Sequence, residues 1–255
     1  MAEYKGFDIS VWQPANFDFA KAKASGYNFA IIRAGGTGYG GDGTSKFVDG
    51  NFYKYYQNAK ASGINVGAYY YSCANTSEKG RAEAEYLYNN CLKGRQFEYP
   101  IFIDVENRQW QLNNKKGVTD AIVSFCDYLE KLGYFVGVYA SYDFFKNHID
   151  NARIDKYLRW LAVWSDKQPI VDFKYRLWQY TNRLNINGVT VDGDISFNDY
   201  ASIIKEGGFN GFKKEEPTPP TPPAPKELIL KVGDSFKVKS IENDNITIEK
   251  IKEEK

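Results

Sequence analysis

The chain has 255 residues, 43% of them hydrophobic and 25% charged, which is enough for one large domain with an appendage. Its 33 basic and 32 acidic residues almost cancel, which argues against a nucleic-acid-binding protein and against attraction to an anionic membrane surface. The charge balance leads us to expect no nucleic-acid partner. Because no apolar stretch is long enough for a membrane-spanning helix, we also expect no membrane insertion.

Rare and abundant residue types restrict the chemistry. One histidine argues against a His-dependent triad or a multi-His metal centre, and three cysteines without CxxC spacing argue against a disulfide framework or a zinc site. The sequence therefore predicts no cofactor and no metal, and leaves catalysis to carboxylates. Aromatic residues make up 16% of the chain, which suits a cleft that stacks against sugar rings.

Apolar runs alternate with segments of helical period along the first part of the chain. Strands are predicted at 6–10, 29–35, 65–72, 99–106, 135–141, 160–164, 176–181 and 191–196. Helices are predicted at 17–24, 51–61, 77–91, 119–132 and about 198–206. This order indicates an α/β fold, an irregular (β/α)8-type barrel with fewer than eight helices. The alternative is an open doubly wound sheet, but no GxGxxG follows the first strand.

A proline-rich run marks the domain boundary. Six of the nine prolines fall between 217 and 225, and such a run forms an extended spacer. The predicted organisation is a barrel over 1–213, a linker over 214–225 and a small segment over 226–255. That segment shows two or three short strands and is too small to be reliably stable alone. The alternatives for it are wall binding, oligomerisation and no independent role.

Acidic residues follow or end three of the predicted strands. Asp8 lies on the first, Asp104 and Glu106 on the fourth, and Asp192 and Asp194 on the eighth. Because active groups of such barrels project from the carboxyl ends of the strands, we expect these acids to gather. Asp104 and Glu106 leave the same face of their strand about 6.6 Å apart, a spacing that does not decide between retention and inversion. A single acid at a strand end is more often a helix cap, but five acids on three strands favour a catalytic group.

Several motifs in this order resemble family 25 glycoside hydrolases, the Chalaropsis-type lysozymes common among bacteriophage endolysins. The similarity covers about residues 4–205. The motifs that carry it are Gly6-Phe7-Asp8-Ile9-Ser10, Ile31-Ile32-Arg33-Ala34-Gly35, Gly67-Ala68-Tyr69, Asp104-Val105-Glu106, Val138-Tyr139-Ala140-Ser141, Trp160-Leu161-Ala162, Trp178-Gln179-Tyr180 and Val191-Asp192.

The resemblance implies an N-acetylmuramidase that cleaves the β-1,4 bond between N-acetylmuramic acid and N-acetylglucosamine in peptidoglycan. It makes Glu106 the proton donor. Asp104 would hold a substrate acetamido group or help an attacking water, and Asp8 and Asp192 would be outer acids that orient Glu106 or the sugar. Whether the acetamido group itself assists is left open.

The sequence departs from the family pattern at two places. Tyr69-Tyr70-Tyr71 stands where many members have Tyr-His-Phe, and Asp194 replaces the asparagine of the late motif. We favour Asp192 over Asp194 as the acid that faces the cleft. The expected substrate-binding side chains are Tyr69, Tyr71, Tyr139, Trp164, Trp178, Arg33 and Asp194.

The N-terminus shows no secretory signal. The expectation is therefore a phage or prophage endolysin that waits in the host cytoplasm until it is released to act on the bacterial cell wall. Two alternatives are a non-catalytic carbohydrate-binding barrel and a barrel glycosidase that acts on another N-acetylated glycan. The chitinase pattern Asp-x-x-Asp-x-Asp-x-Glu is not present before Glu106.

Overall fold

A computed structural model describes residues 3–38, 43–214, 235–242 and 245–251. The chain divides into two compact units, residues 1–215 and 216–255. In the second unit, two antiparallel strands, Phe236–Glu242 and Asn245–Lys250, form a hairpin. The strand predicted near 228–232 and the proline-rich run lie outside the described residues.

The first unit contains nine strands and six α-helices in its described part. The strands are β1 Tyr4–Ile9, β2 Phe29–Thr37, β3 Lys46–Val48, β4 Asn65–Tyr71, β5 Ile101–Asp104, β6 Val136–Ser141, β7 Leu158–Ala162, β8 Leu177–Ile186 and β9 Val189–Ser196. The helices are α1 Phe19–Ala24, α2 Phe52–Ala61, α3 Ser77–Leu87, α4 Arg108–Gln111, α5 Lys115–Lys131 and α6 Tyr200–Gly207. Two π-helical turns follow at Tyr88–Leu92 and Phe144–His148.

Eight of these strands close into a barrel, which confirms the predicted fold class. β1, β2, β4, β5, β6, β7 and β8 pair in parallel in that order, and β9 closes the ring by pairing with both β8 and β1. All eight predicted strands are present. β3, which forms a hairpin with β2, is not among them.

The direction of the last barrel strand corrects one expectation. β9 is antiparallel to its neighbours because a tight turn through Asn187 and Gly188, both with positive φ, joins it to β8. The carboxyl end of β9 therefore points away from the other strand ends. Asp192, in the first half of β9, lies opposite Asp8, whereas Asp194 lies opposite Gly6 and thus deeper in the barrel.

Capping side chains mark the starts of four helices, and a glycine follows the end of α5. The side chains of Asp18, Thr76, Asn114 and Asp199 cap α1, α3, α5 and α6 by accepting a backbone N–H. The Asn114 cap starts α5 four residues before the predicted position. Gly133, at φ +83°, turns the chain after α5 in a conformation that other residues adopt only with strain.

The barrel interior is filled with aromatic and aliphatic side chains. The ring centroid of Trp160 lies 5.0 Å from the ring centroid of Phe102 and 4.6 Å from that of Tyr139. Phe29, Ile31 and Leu177 are fully buried in the same cluster. None of the helices in the described ranges combines the length and apolarity that a bilayer crossing needs.

Candidate active site

Four acidic side chains meet at the carboxyl end of the barrel. Asp8 and Asp192 are paired across β1 and β9, Asp104 is the last residue of β5, and Glu106 follows two positions later. All four line one cleft of about 480 Å³, and we call them the cleft acids. They also line a smaller recess of about 70 Å³ that Trp160 bounds.

The cleft acids differ in burial. Asp8 and Asp104 are 7% and 3% exposed, Asp192 is half-buried, and Glu106 is exposed at the cleft opening. β5 reaches Asp104 through apolar, fully buried residues, so this carboxyl leaves an apolar strand at the floor of the cleft. Its Oδ1 atom is buried and receives no hydrogen bond from the described residues.

The mutual proximity of the cleft acids favours protonation. Burial raises the pKa of Asp104 well above its ordinary value, and the charges of Glu106 and Asp8 raise it further, while Arg33 opposes them. Burial and then Asp192 raise the pKa of Asp8 in the same way. Loss of hydration between the cleft walls, and then the charge of Asp192, raise the pKa of Glu106 despite its accessible position. Burial raises the pKa of Asp192 to about 6.

A buried amide, Gln179 on β8, connects two of the cleft acids. Its Nε2 donates to Oδ2 of Asp8 at 2.8 Å and lies 3.4 Å from Oδ2 of Asp192. Its Oε1 accepts hydrogen bonds from Tyr139 and Trp164. Gln179 belongs to the motif Trp178-Gln179-Tyr180, but the sequence alone predicts no role for it. A polar residue between aromatics near the end of a barrel strand is the signal that indicates an inward-facing amide.

Asp194 lies beneath the cleft. Its carboxyl is fully buried and its Oδ1 accepts a hydrogen bond from Nε1 of Trp160 at 2.8 Å, while its Oδ2 has no hydrogen-bond partner among the described residues. The expected contact between Asp194 and substrate does not fit this position, because Asp194 does not line the cleft. The deeper register of Asp194 on the antiparallel β9 explains the difference. Burial raises the pKa of Asp194 well above its usual value, and the charge of Asp8 raises it further.

Aromatic side chains form part of the cleft wall. Tyr69 and Tyr71 at the end of β4 line the cleft, together with Trp12 and Phe47. Trp12 is 82% exposed, so its ring is available to a ligand. Phe47 belongs to the β2–β3 hairpin, which the sequence did not predict. The alternation of Lys46, Phe47 and Val48 before Asp49 is the weak strand signal that was missed.

The remaining predicted aromatic positions divide between the site and the outer surface of the barrel. Tyr139 lines the small recess, and Trp164, 60% exposed, donates from its Nε1 to Gln179. Trp178 is the exception. It is nearly buried, alternates with the inward-facing Leu177 and Gln179, and donates from Nε1 to the carbonyl of Val163. Since its ring lies on the other face of β8, the predicted sugar contact of Trp178 is wrong.

Arg33 is the only basic side chain among the described residues that line the cleft. It lies on β2 opposite Tyr69. Its Nε donates to Oδ2 of the buried Asp49 at 2.6 Å. Within the described part of the chain, no group of three or more His, Cys, Asp or Glu side chains has the arrangement of a metal site.

The chain is similar to a known family and to individual proteins of known structure. The family profile "Glycosyl hydrolases family 25" matches residues 7–189. The chain is 29% identical over 191 residues to the autolytic lysozyme of Clostridium acetobutylicum. The matched region covers 75% of this chain and 54% of the lysozyme. The chain thus spans about half the length of this curated relative.

Two solved structures share the fold over most of the chain. The CTP1L endolysin superposes with a TM-score of 0.66 at 27% identity, covering 79% of this chain and 69% of the endolysin. The muramidase from Acremonium alcalophilum superposes with a TM-score of 0.65 at 25% identity, covering 82% of this chain and 99% of the muramidase.

Proposed function

The chain belongs to glycosyl hydrolase family 25, and on that premise we propose that it is a lysozyme. The reaction is that of an N-acetylmuramidase, cleavage of the β-1,4 bond between N-acetylmuramic acid and N-acetylglucosamine in peptidoglycan. The observation that carries the proposal is the convergence of the four cleft acids, from three strands, on one aromatic-walled cleft. The similarity to a lysozyme, an endolysin and a muramidase supports the same reaction.

Glu106 is the proton donor in this proposal. It is the cleft acid most open to a bound glycan, and its raised pKa lets it keep a proton at a pH where an ordinary glutamate has lost it. The proton passes from the carboxyl of Glu106 to the glycosidic oxygen as the bond from that oxygen to the sugar C1 breaks. The positive charge that develops on the sugar ring is stabilised by whichever cleft acid is ionised, and it is discharged when water adds to C1 and gives its proton to that carboxylate.

Asp104 contacts the substrate from the cleft floor. Its unsatisfied Oδ1 can accept a hydrogen bond from the N–H of a 2-acetamido group or orient an attacking water. Asp8 and Asp192 orient Glu106 or the sugar from the opposite strands. Gln179 acts as a positioning residue in this scheme, because it fixes Asp8 directly and reaches Asp192.

The domain organisation and biological setting extend the proposal. Residues 1–213 form the catalytic domain, 214–225 a linker, and 226–255 a segment for wall attachment or oligomerisation. The similarity to the CTP1L endolysin supports a phage or prophage lysin that acts on the bacterial cell wall. Storage in the host cytoplasm before release stays a prediction from the sequence.

Product analysis tests the reaction. Purified bacterial cell walls are digested with the full chain, the new reducing ends are reduced with borohydride, and the reduced sugars are identified. Reduced muramic acid is the expected product. Reduced glucosamine would indicate a glucosaminidase, and the absence of new reducing ends, despite binding to the walls, would indicate a carbohydrate-binding barrel. Walls treated with a Glu106→Gln variant serve as the blank.

A further inference from the structure

The guanidinium of Arg33 is held rigidly at the edge of the cleft. Its Nε donates to Asp49, which is 2% exposed and also accepts the backbone N–H groups of Val11 and Asn51, at 3.0 and 2.9 Å. The Phe47 ring lies 5.9 Å from Cζ of Arg33. Asp49 is thus fixed by three donors and in turn fixes the plane of the guanidinium.

The rest of that guanidinium, in a side chain that is 12% exposed, borders the cleft. Neither Nη nitrogen of Arg33 has a hydrogen-bond acceptor among the described residues, and Asp49 is its only ion-pair partner there. Arg33 is near enough to oppose the protonation of Asp104, yet no cleft acid lies within ion-pair distance of it. A preorganised pair of Nη donors of this kind matches a carboxylate, which accepts two parallel hydrogen bonds.

Charge balance indicates why such an anchor is needed. Four carboxyls line the cleft against one cation, so an anionic group on a bound glycan meets repulsion wherever the acids are ionised. An uncharged N-acetylglucosamine polymer carries no anion for Arg33 to bind. Muramic acid does, because its 3-O-lactyl group ends in a carboxyl that is either free or joined to a peptide with carboxylates of its own.

We propose that Arg33 is a specificity-determining residue that binds a carboxylate attached to the muramic acid ring of the substrate. The inference rests on the proposed muramidase function and adds to it the group that distinguishes a muramyl glycan from a neutral one. The carboxylate comes from one of two sources, the free lactyl group of a peptide-free strand or the peptide of an intact one.

The test compares charged and neutral forms of the same glycan. Three substrates are used: glycan strands freed of peptide, the same strands with their lactyl carboxyls converted to methylamides, and strands that keep their peptides. Arg33→Gln should lower kcat/KM on a carboxylate-bearing strand about tenfold to a hundredfold more than on the methylamide strand, mainly through KM. Any general effect of Arg33 on Asp104 cancels in this ratio. The strand on which the loss appears identifies the source of the carboxylate.

Controls separate binding from folding. Arg183→Gln removes an exposed positive charge elsewhere and should leave the ratio unchanged. Because Arg33→Gln leaves Asp49 buried without its cation, the double variant Arg33→Gln/Asp49→Asn, which has no unpaired charge, should show the same loss of preference. An equal loss on charged and neutral strands in both variants would overturn the inference and leave a structural role for Arg33. If the unaltered chain cleaves none of the strands, the proposed function fails first.

Discussion

Asp104 and Glu83 are both buried carboxyls, 3% and 2% exposed, but they lie in regions with opposite hydrogen bonding. Glu83, on α3, accepts the hydroxyls of Thr37 and Ser72 at 2.5 and 2.6 Å and the N–H of Cys73 at 3.0 Å. These bonds tie the ends of β2 and β4 to the helix. By contrast, no donor from the described residues reaches Oδ1 of Asp104.

The difference shows what distinguishes a structural acid from a catalytic one here. Burial raises the pKa of both groups, that of Glu83 to about 7, so a raised pKa alone does not mark the site. What marks the site is whether the carboxyl oxygens receive hydrogen bonds from the protein. An acid whose oxygens are satisfied by the protein stabilises the fold, whereas one with an unsatisfied oxygen in a cleft can hydrogen-bond to a ligand.

Replacing the proposed donor should give the largest effect. Glu106→Gln keeps the shape of the side chain but removes the transferable proton, so lysis of purified cell walls should fall about 10²-fold to 10⁴-fold. The melting temperature should stay within a few degrees, since Glu106 is exposed and makes no structural hydrogen bond in the described part of the chain. Glu206→Gln is the matched control on the exposed surface. Near-normal lysis by Glu106→Gln would remove Glu106 from the mechanism.

Glu83→Gln should change stability and leave the chemistry intact. The pKa of Glu83 rises from 4.5 to about 7 on folding, so the folded state keeps a proton that the unfolded state releases. The contribution of Glu83 to stability is therefore greatest below pH 4.5, falls as the pH rises to about 7, and is level above. Relative to Glu83→Gln, the unaltered chain should lose about 3 kcal/mol of unfolding free energy across that window.

Denaturant titrations at several pH values measure this difference. Glu85→Gln, at a half-buried position of the same helix, controls for the loss of a negative charge from α3. A wall-lysis rate per folded molecule that falls as far as that of Glu106→Gln would erase the distinction between the two regions. A pH-independent difference in stability would show that Glu83 does not titrate as its environment indicates.

Asp104→Asn should have the opposite effect to Glu83→Gln, lowering wall lysis without lowering stability. An amide can turn its NH₂ toward the cleft but cannot supply the negative charge of a carboxylate, so wall lysis should fall about tenfold to a hundredfold. Stability should hold or rise, because the variant removes a buried group that is costly to ionise. Lysis assays and thermal melts on the same preparations check both parts. Loss of stability without loss of lysis would place Asp104 with Glu83 among the structural acids.

The parts of the site that the sequence predicts are those set by local pattern. Apolar runs locate the strands, and the acids at their ends include all four cleft acids. Phe47 and Gln179 have only weak local signals and Asp49 has none, because the roles of all three depend on pairing and contacts between distant segments. The direction of β9, which places Asp192 in the cleft and Asp194 below it, does have a local signal, because Asn-Gly at 187–188 is typical of a two-residue hairpin turn. The depth of each side chain in the barrel also depends on the register between β9 and β1, which the sequence alone does not give.

The smallest expected effect is a shift in pH dependence from Asp192→Asn. The charge of Asp192 helps to raise the pKa of Glu106, so its removal lowers that pKa, and the donor loses its proton at a lower pH. The alkaline limb of the pH–activity curve should therefore move toward acid. Because the pKa of Asp192 is about 6, the two curves should differ most above that pH, where Asp192 is ionised in the unaltered chain. Asp166→Asn, an exposed acid outside the cleft, should leave the limb in place. An alkaline limb that stays fixed in Asp192→Asn, or moves to higher pH, would mean that the charge on β9 does not act on Glu106, and the cleft acids would then not titrate as one group.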